Sequence, residues 1–192
     1  MTRKNLYIIS GCNGAGKTTA SYTVLPEILD CNEFVNADEI AKGLSPFNPQ
    51  SVVIEAGRLM LERIDNLLEK NVSFSIETTL ATKSYVNLIR RAHAKGYSVK
   101  LLFFWLNSPE LAILRVAERV AKGGHDIPKD VIIRRYAAGI DNLFRLFMNE
   151  VDYWEIYDNS SHPRKLIASG SKASENNIKE KILFKIMQRY VR

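Results

Sequence analysis

The chain is poor in the features of secreted and membrane proteins. It has only two cysteines, Cys12 and Cys31, in 192 residues. That excludes a disulfide-stapled scaffold and predicts two thiols in a reducing cytosol. No apolar run approaches about 18 residues, the length a membrane span requires. The basic opening Met1-Thr2-Arg3-Lys4 precedes an apolar segment only a strand long, so it does not read as a signal peptide. A cytoplasmic protein without membrane contact is expected. The chain also lacks internal repeats and a low-complexity tail. Its net charge of +6 is not gathered into one long basic run. Basic residues recur at Arg115, Arg119, Lys122, Lys129, Arg134 and Arg135, and again near the C-terminus. That distribution points to anionic phosphates in one cleft rather than to nucleic acid. A hydrophobic fraction of 46% and a charged fraction of 25% are ordinary for a globular chain, and the length suits one domain over residues 1–192.

One stretch organises the rest. Gly11-Cys12-Asn13-Gly14-Ala15-Gly16-Lys17-Thr18-Thr19 fits the phosphate-loop pattern G-x-x-x-x-G-K-[ST] without a mismatch. Leu6-Tyr7-Ile8-Ile9-Ser10 before it reads as a short buried parallel strand, and a helix can start after it. The glycines let successive N–H groups turn inward onto a phosphate chain, and the new helix adds the positive end of its dipole. Lys17 would reach the β- and γ-phosphates of ATP, and the Thr18 hydroxyl would ligate Mg²⁺. Cys12 reads as an ordinary thiol within the loop rather than a redox sensor.

Downstream, strands and helices alternate. Helix one runs from Lys17 toward Leu25, with a bend or second turn at Pro26. Phe34-Val35 is the heart of a second strand that ends in Asn36, Asp38 and Glu39. Residues 50–70 form a long amphipathic helix that ends at Asn71. Val72–Ile76 is strand three, with Glu77-Thr78-Thr79 at its carboxyl end. A helix from Thr82 or Ser84 to Lys95 stops at Gly96. Ser98–Leu106 is a doubly buried strand, and Ser108-Pro109 opens the helix that carries Arg115 and Arg119 on one face. Gly123-Gly124 and His125 separate it from a helix that begins at Pro128. Tyr153–Tyr157 is strand five, Lys165–Ala168 can pair beside it, residues 170–177 read as a polar linker, and residues 178–191 as a last helix. The expected fold is therefore α/β, a P-loop NTPase with a five-stranded parallel sheet, helices on both faces and a small helical lid at about residues 115–136.

Missing signatures narrow the chemistry. There is no Asn-Lys-x-Asp segment of a GTPase and no Leu-Ser-Gly-Gly of a transporter ATPase, and Phe103-Phe104-Trp105-Leu106 ends without an aspartate. What remains suits phosphoryl transfer from ATP to a hydroxyl of a small polar acceptor, because positioning and charge neutralisation supply most of that catalysis. Asp38 would be the base, although Asp is also a strong helix cap and Glu39 competes. Glu77 would bind acceptor or organise the Mg²⁺ shell. Arg119, Arg115 or both would stabilise charge. His125 is either a lid contact or a surface residue, and Asn159 would contact the adenine. A slow ATP-binding regulatory module and a nucleic-acid-end kinase remain the alternatives.

Five segments in order resemble the zeta-toxin-like family of P-loop kinases across about residues 5–168. They are Gly-x-Asn-Gly-Ala-Gly-Lys-Thr-Thr, Phe-Val-Asn-Ala-Asp-Glu-Ile-Ala, Ser-Ile-Glu-Thr-Thr, Arg-Val-Ala-Glu-Arg-Val-x-x-Gly-Gly-His-x-Ile-Pro and Ile-Tyr-Asp-Asn-Ser. The resemblance implies a kinase fold that uses ATP with Mg²⁺. Zeta toxins proper phosphorylate a UDP-linked amino sugar and are held in check by a small antitoxin. By the same resemblance Asp38 matches the catalytic base, Glu77 and Thr78 the acceptor-binding segment, Lys17 and Thr18 the phosphate loop, and Arg119 the first lid arginine. The family's toxins carry an arginine where this chain has His125, so Arg134 or Arg135 would supply the second lid charge. Asn36 stands where the family's second-strand motif begins with an acidic residue. The sequence resembles the broader branch described as predicted ATPases, and toxicity is not implied.

Overall fold

The computed structural model describes residues 4–27, 29–124 and 126–191. Strand β1 (Asn5–Gly11) runs down the centre of the molecule, and all but its first residue are buried. It leads into α1 (Lys17–Glu27), which carries Pro26 in its last turn without breaking. Strand β2 is only Phe34–Val35, and α2 (Ala37–Leu44) follows at once. A 3₁₀ turn (Pro49–Val52) feeds α3 (Val53–Lys70), which Asn71 ends in the left-handed conformation at φ 55°. Strand β3 (Phe74–Thr78), α4 (Tyr85–Ala94) and β4 (Ser98–Trp105) come next. Helix α5 (Pro109–Ala121) is capped by the Ser108 hydroxyl, which accepts the Leu111 N–H at 3.2 Å. Helix α6 (Lys129–Asn142) continues through a π-helical turn (Leu143–Phe147) into α7 (Met148–Glu150). Strands β5 (Tyr153–Asp158), β6 (Lys165–Ser171) and β7 (Ser174–Ile178) and helix α8 (Lys181–Gln188) complete the described residues.

The strands form one sheet in the order β2-β3-β1-β4-β5-β6-β7. The first five are parallel, as the alternating pattern predicts. The expected sheet is short by two strands. Strand β6 pairs antiparallel to β5, and β7 returns antiparallel to β6 through a turn at Ser171↔Ser174. The residues expected to be a linker are therefore an edge hairpin. They are polar because β7 is exposed along most of its length and buries no face that would demand apolar alternation. The closing helix is shorter than expected, running Lys181–Gln188, and β7 takes the first residue expected of it, Ile178.

Burial explains the order of the layers. Leu6, Ile8, Phe74, Ile76, Val99, Leu101 and Phe103 are all at 2% exposure or less, and each such side chain contributes roughly 1.5–3 kcal/mol. Helices on both sheet faces supply the cover, which is why β1 and β4 read as unbroken apolar runs. The chain leaves β1 in one direction, toward β3 and β2, and later returns to its other side at β4. The crevice outside the carboxyl ends of β1 and β3 is the topological switch point. Among the described residues no helix is long and apolar enough to cross a membrane.

Candidate active site

The phosphate loop is built by close approach. Gly11 sits at φ 139° with β4 against it, and a Cβ there would overlap the Phe104 carbonyl. Gly14 sits at φ 78°, and a Cβ would come within 2.8 Å of the Ala112 carbonyl on α5. The loop thus turns where only glycine fits, and it leaves Lys17 as the first residue of α1. Lys17 is 7% exposed. Its Nζ donates to the Cys12 carbonyl at 3.0 Å and lies 3.6 Å from Glu77 Oε1. Cys12 itself is buried, and burial pushes its thiol up to about 11 despite the nearby Lys17 and Arg115 charges. It is a protonated thiol at neutral pH, in keeping with the ordinary role expected for it.

Glu77 is the second anchor. The β1–β3 register places it beside Ile9 and Thr78 beside Ser10, so its carboxylate emerges where the phosphate loop begins. Its Oε2 accepts from Thr18 Oγ1 at 2.8 Å and from Asn36 Nδ2 at 2.9 Å. Asn36 in turn caps α2, its Oδ1 accepting the Asp38 N–H at 2.8 Å. The cap expected at Asp38 is therefore Asn36, which leaves the Asp38 side chain for the cleft. Glu39 turns away instead, pairing with Lys42 at 2.7 Å, so Asp38 is the carboxylate of the two that lines the cleft.

Asn13, Lys17, Asp38, Glu77, Thr78 and Arg135 together border a cleft of about 220 Å³. Tyr85 closes one side. Burial raises its hydroxyl above the usual tyrosine value, and a hydrogen bond with Thr78 partly offsets this. The floor beyond β3 is held by a strained residue. Leu80 is fully buried at φ 57°, its N–H donates to Thr78 Oγ1 at 3.1 Å, and its carbonyl accepts from the buried Asn142 Nδ2 at 2.8 Å.

The arginines and the residues on the nucleotide side divide between the cleft and its supports. Arg134 is exposed and lines a separate depression with Ala137, Ala138, Asp141 and Tyr190. Its neighbour Arg135 turns into the cleft and donates to Asn13 Oδ1 at 3.4 Å. The helix phase explains the exchange. Ile132 and Tyr136 define the buried face of α6, and Arg134 falls opposite them while Arg135 flanks them. Arg115 is engaged by backbone carbonyls. Its two terminal nitrogens donate to the carbonyls of Asn159 and Ser160 at 2.8 and 2.9 Å, which ties α5 to the end of β5. Asn159 likewise serves the loop, its Nδ2 donating to the Ala15 carbonyl at 2.8 Å, close enough to leave no room for a side chain at Gly16. Arg119 lies half-buried one turn beyond Arg115, packed beneath Gly124, and Thr19 is exposed on the first turn of α1. His125 lies outside the described residues.

The zeta toxin family model matches residues 1–164. An uncharacterised protein of Haemophilus influenzae is 29% identical over 143 residues, covering 71% of this chain and 100% of that one. A chain of the AvrRxo1-ORF1:AvrRxo1-ORF2 complex, solved with sulphate ions, has the same fold at a TM-score of 0.78 and 16% identity over 96% of this chain. This chain spans 63% of that chain's length. The PezAT toxin–antitoxin system of Streptococcus pneumoniae gives a TM-score of 0.66 at 19% identity, covering 99% of this chain and 86% of that one. The phosphate loop, the carboxylate at its rim and the match across most of the sequence place this chain in the zeta toxin family, with the P-loop kinase fold.

Proposed function

We propose that the protein is an ATP-dependent phosphotransferase that moves the γ-phosphoryl group to a hydroxyl of a small molecule. The observation that carries this reading is the single network of Lys17, Thr18, Asn36 and Glu77, with Asp38 across the same cleft. A Gly-rich turn before an ordinary helix would not hold a lysine 7% exposed beside a carboxylate. The residues also fit ATP and Mg²⁺ chemically. The backbone at Gly14 and Lys17 suits a phosphate chain. Thr18 Oγ1 and the Glu77 carboxylate are hard oxygen donors of the kind Mg²⁺ takes, directly or through water. Bound Mg²⁺ would neutralise charge on the phosphates.

In the step so proposed, the acceptor oxygen bonds to the γ-phosphorus, and the bond from that phosphorus to the β–γ bridging oxygen breaks. ADP leaves with the electron pair. Asp38 accepts the acceptor's proton, Lys17 holds the phosphate charge, and Arg135 meets the transferring group from α6. Arg119 and the segment between α5 and α6 would close over the site as a lid. A small protein partner of the antitoxin kind fits the same reading, since the PezAT relative belongs to a toxin–antitoxin system.

The test is ATP consumption by purified protein with Mg²⁺, with and without UDP-N-acetylglucosamine, for wild type and Asp38→Asn. Loss of a general base should lower transfer about 10²–10⁴-fold while ATP affinity stays within a small factor. Equal turnover by the two proteins would refute the reading.

A further inference from the structure

The acceptor cleft does not end at its own walls. Ala37, Met60 and Tyr85, which border it, also form the near end of a groove of about 580 Å³ between α3 and α4. This groove has more than twice the volume of the cleft at Asp38, and its chemistry is different. Beyond Met60 it is walled by Ile54, Leu61, Ile64 and Leu88. Two guanidinium groups stand at its rim: Arg58, which is exposed, and Arg91, which pairs with Asp65 at 2.8 Å.

Gly57 gives a second, independent indication. It lines the groove in the first half of the 18-residue α3, where glycine costs roughly 0.5–1 kcal/mol relative to alanine. Its backbone is not in the left-handed region, and nothing lies within 4 Å of where a Cβ would be. Neither conformation nor packing calls for glycine. The space beside it is open, so a large side chain at this position would enter the groove.

We propose that this groove holds the body of the phosphoryl acceptor, and that the acceptor is a hydroxylated amphiphile. Its hydroxyl meets Asp38, an apolar aliphatic or aromatic body lies past Met60 along Ile64 and Leu88, and an anionic end meets Arg58. This rests on the phosphotransferase reading of the cleft and specifies its substrate class. Arg58, Arg91, Asp65, Ser84 and Asn87 interrupt a lining that is otherwise apolar, which suits a ligand with one apolar body and one charged end better than one that is polar along its whole length. The products are ADP and the phosphate monoester of the amphiphile, with bonds and proton accounted for as in the step above.

The binding probe is anilinonaphthalene sulfonate, an apolar aromatic body with one anionic group. Wild type and Gly57→Ala should bind one dye per chain with similar affinity. Gly57→Trp should bind it at least about 10-fold more weakly, the scale of losing part of an apolar contact surface, without a lower thermal midpoint. Arg58→Glu should weaken it by a similar factor. ω-Hydroxydecanoate should displace the dye and, with Mg²⁺ and ATP, gain one phosphate by mass. If the dye fails to bind, or binds Gly57→Trp as tightly as wild type, the groove is no ligand site. If UDP-N-acetylglucosamine is phosphorylated and ω-hydroxydecanoate is not, the acceptor class is wrong and the phosphotransferase reading stands. If the groove binds as expected but no acceptor supports Asp38-dependent ATP consumption, the phosphotransferase reading fails and takes the acceptor role with it.

Discussion

Glu77 is the residue through which the others in the cleft are related. Its two oxygens meet a lysine and a threonine hydroxyl from the start of α1 and an asparagine amide from the cap of α2. The arrangement holds Lys17 and Thr18 in place before any nucleotide arrives, which is how preorganised charge lowers a barrier. The same logic separates two adjacent arginines. Arg135 reaches Asn13 inside the cleft, while Arg134 lines a depression with Tyr190. Arg135→Ala should therefore lower kcat/KM for ATP-dependent transfer about 10²–10³-fold, and Arg134→Ala should leave it nearly unchanged. Steady-state kinetics on the pair decides it, and the reverse ranking would remove Arg135 from the proposed mechanism. At this scale the sequence was informative where a residue type meets a fixed motif, as at Lys17, Thr18, Glu77 and Asp38. It was less so where helix phase decides. The apolar positions Ile132, Tyr136 and Ile140 already define the buried face of α6 and put Arg134 opposite it, so a signal was present. Nothing local in the sequence, by contrast, joins Asn36 or Arg115 to partners 41 and 44 residues away.

Among the elements, α6 supports the site from behind as well as reaching into it through Arg135. Asn142 ends it, buried at 4% exposure, and its amide satisfies the carbonyl of the left-handed Leu80. Gly139, one turn earlier, lets the Thr79 carbonyl come within 2.5 Å of where a Cβ would sit. Helix α6 thus fixes the loop after β3, and with it Thr78 and the floor of the cleft. A left-handed leucine costs about 1–2 kcal/mol and needs such support. Asn142→Ala should cost about 1–3 kcal/mol in urea unfolding, since it strands a buried carbonyl, and it should raise the acceptor KM more than the ATP KM. Unchanged stability would mean that the Leu80 carbonyl finds another donor. The switch from α-helix to π-helix at Leu143 was not legible, because the periodicity of residues 128–150 continues across it. The β6–β7 hairpin was missed for a related reason. An exposed edge pair carries no apolar alternation, and its polar residues look like a linker.

At the scale of the whole molecule, the two ends of the sheet divide the labour. The carboxyl ends of β1 and β3 carry the cleft, and the opposite end carries electrostatic ties. There Asp152, just before β5, accepts the Val99 N–H at 2.8 Å and meets His93 Nε2 at 2.9 Å. Arg90 on the same helix α4 pairs with Glu150 at 2.7 Å. Burial pushes the Asp152 carboxyl up, but the Val99 hydrogen bond and the His93 contact outweigh it and hold it below its ordinary value of 3.8. The Arg90 hydrogen bond lowers Glu150 from 4.5 in the same way. A carboxyl lowered in the folded state stabilises fully above its ordinary value and ceases to do so as pH falls through its folded value. Asp152→Asn keeps an acceptor for Val99 and removes the charge. It should lose about 0.5–1 kcal/mol at neutral pH, and the gap to wild type should close as pH falls below the ordinary carboxyl value of 3.8. Urea midpoints across that range are the measurement. A gap that stays constant would assign the role of Asp152 to its hydrogen bond rather than its charge. Because these ties sit at the far end of the sheet, the same substitution should leave ATP affinity at neutral pH untouched, which separates the acid sensitivity of the fold from the chemistry of the cleft.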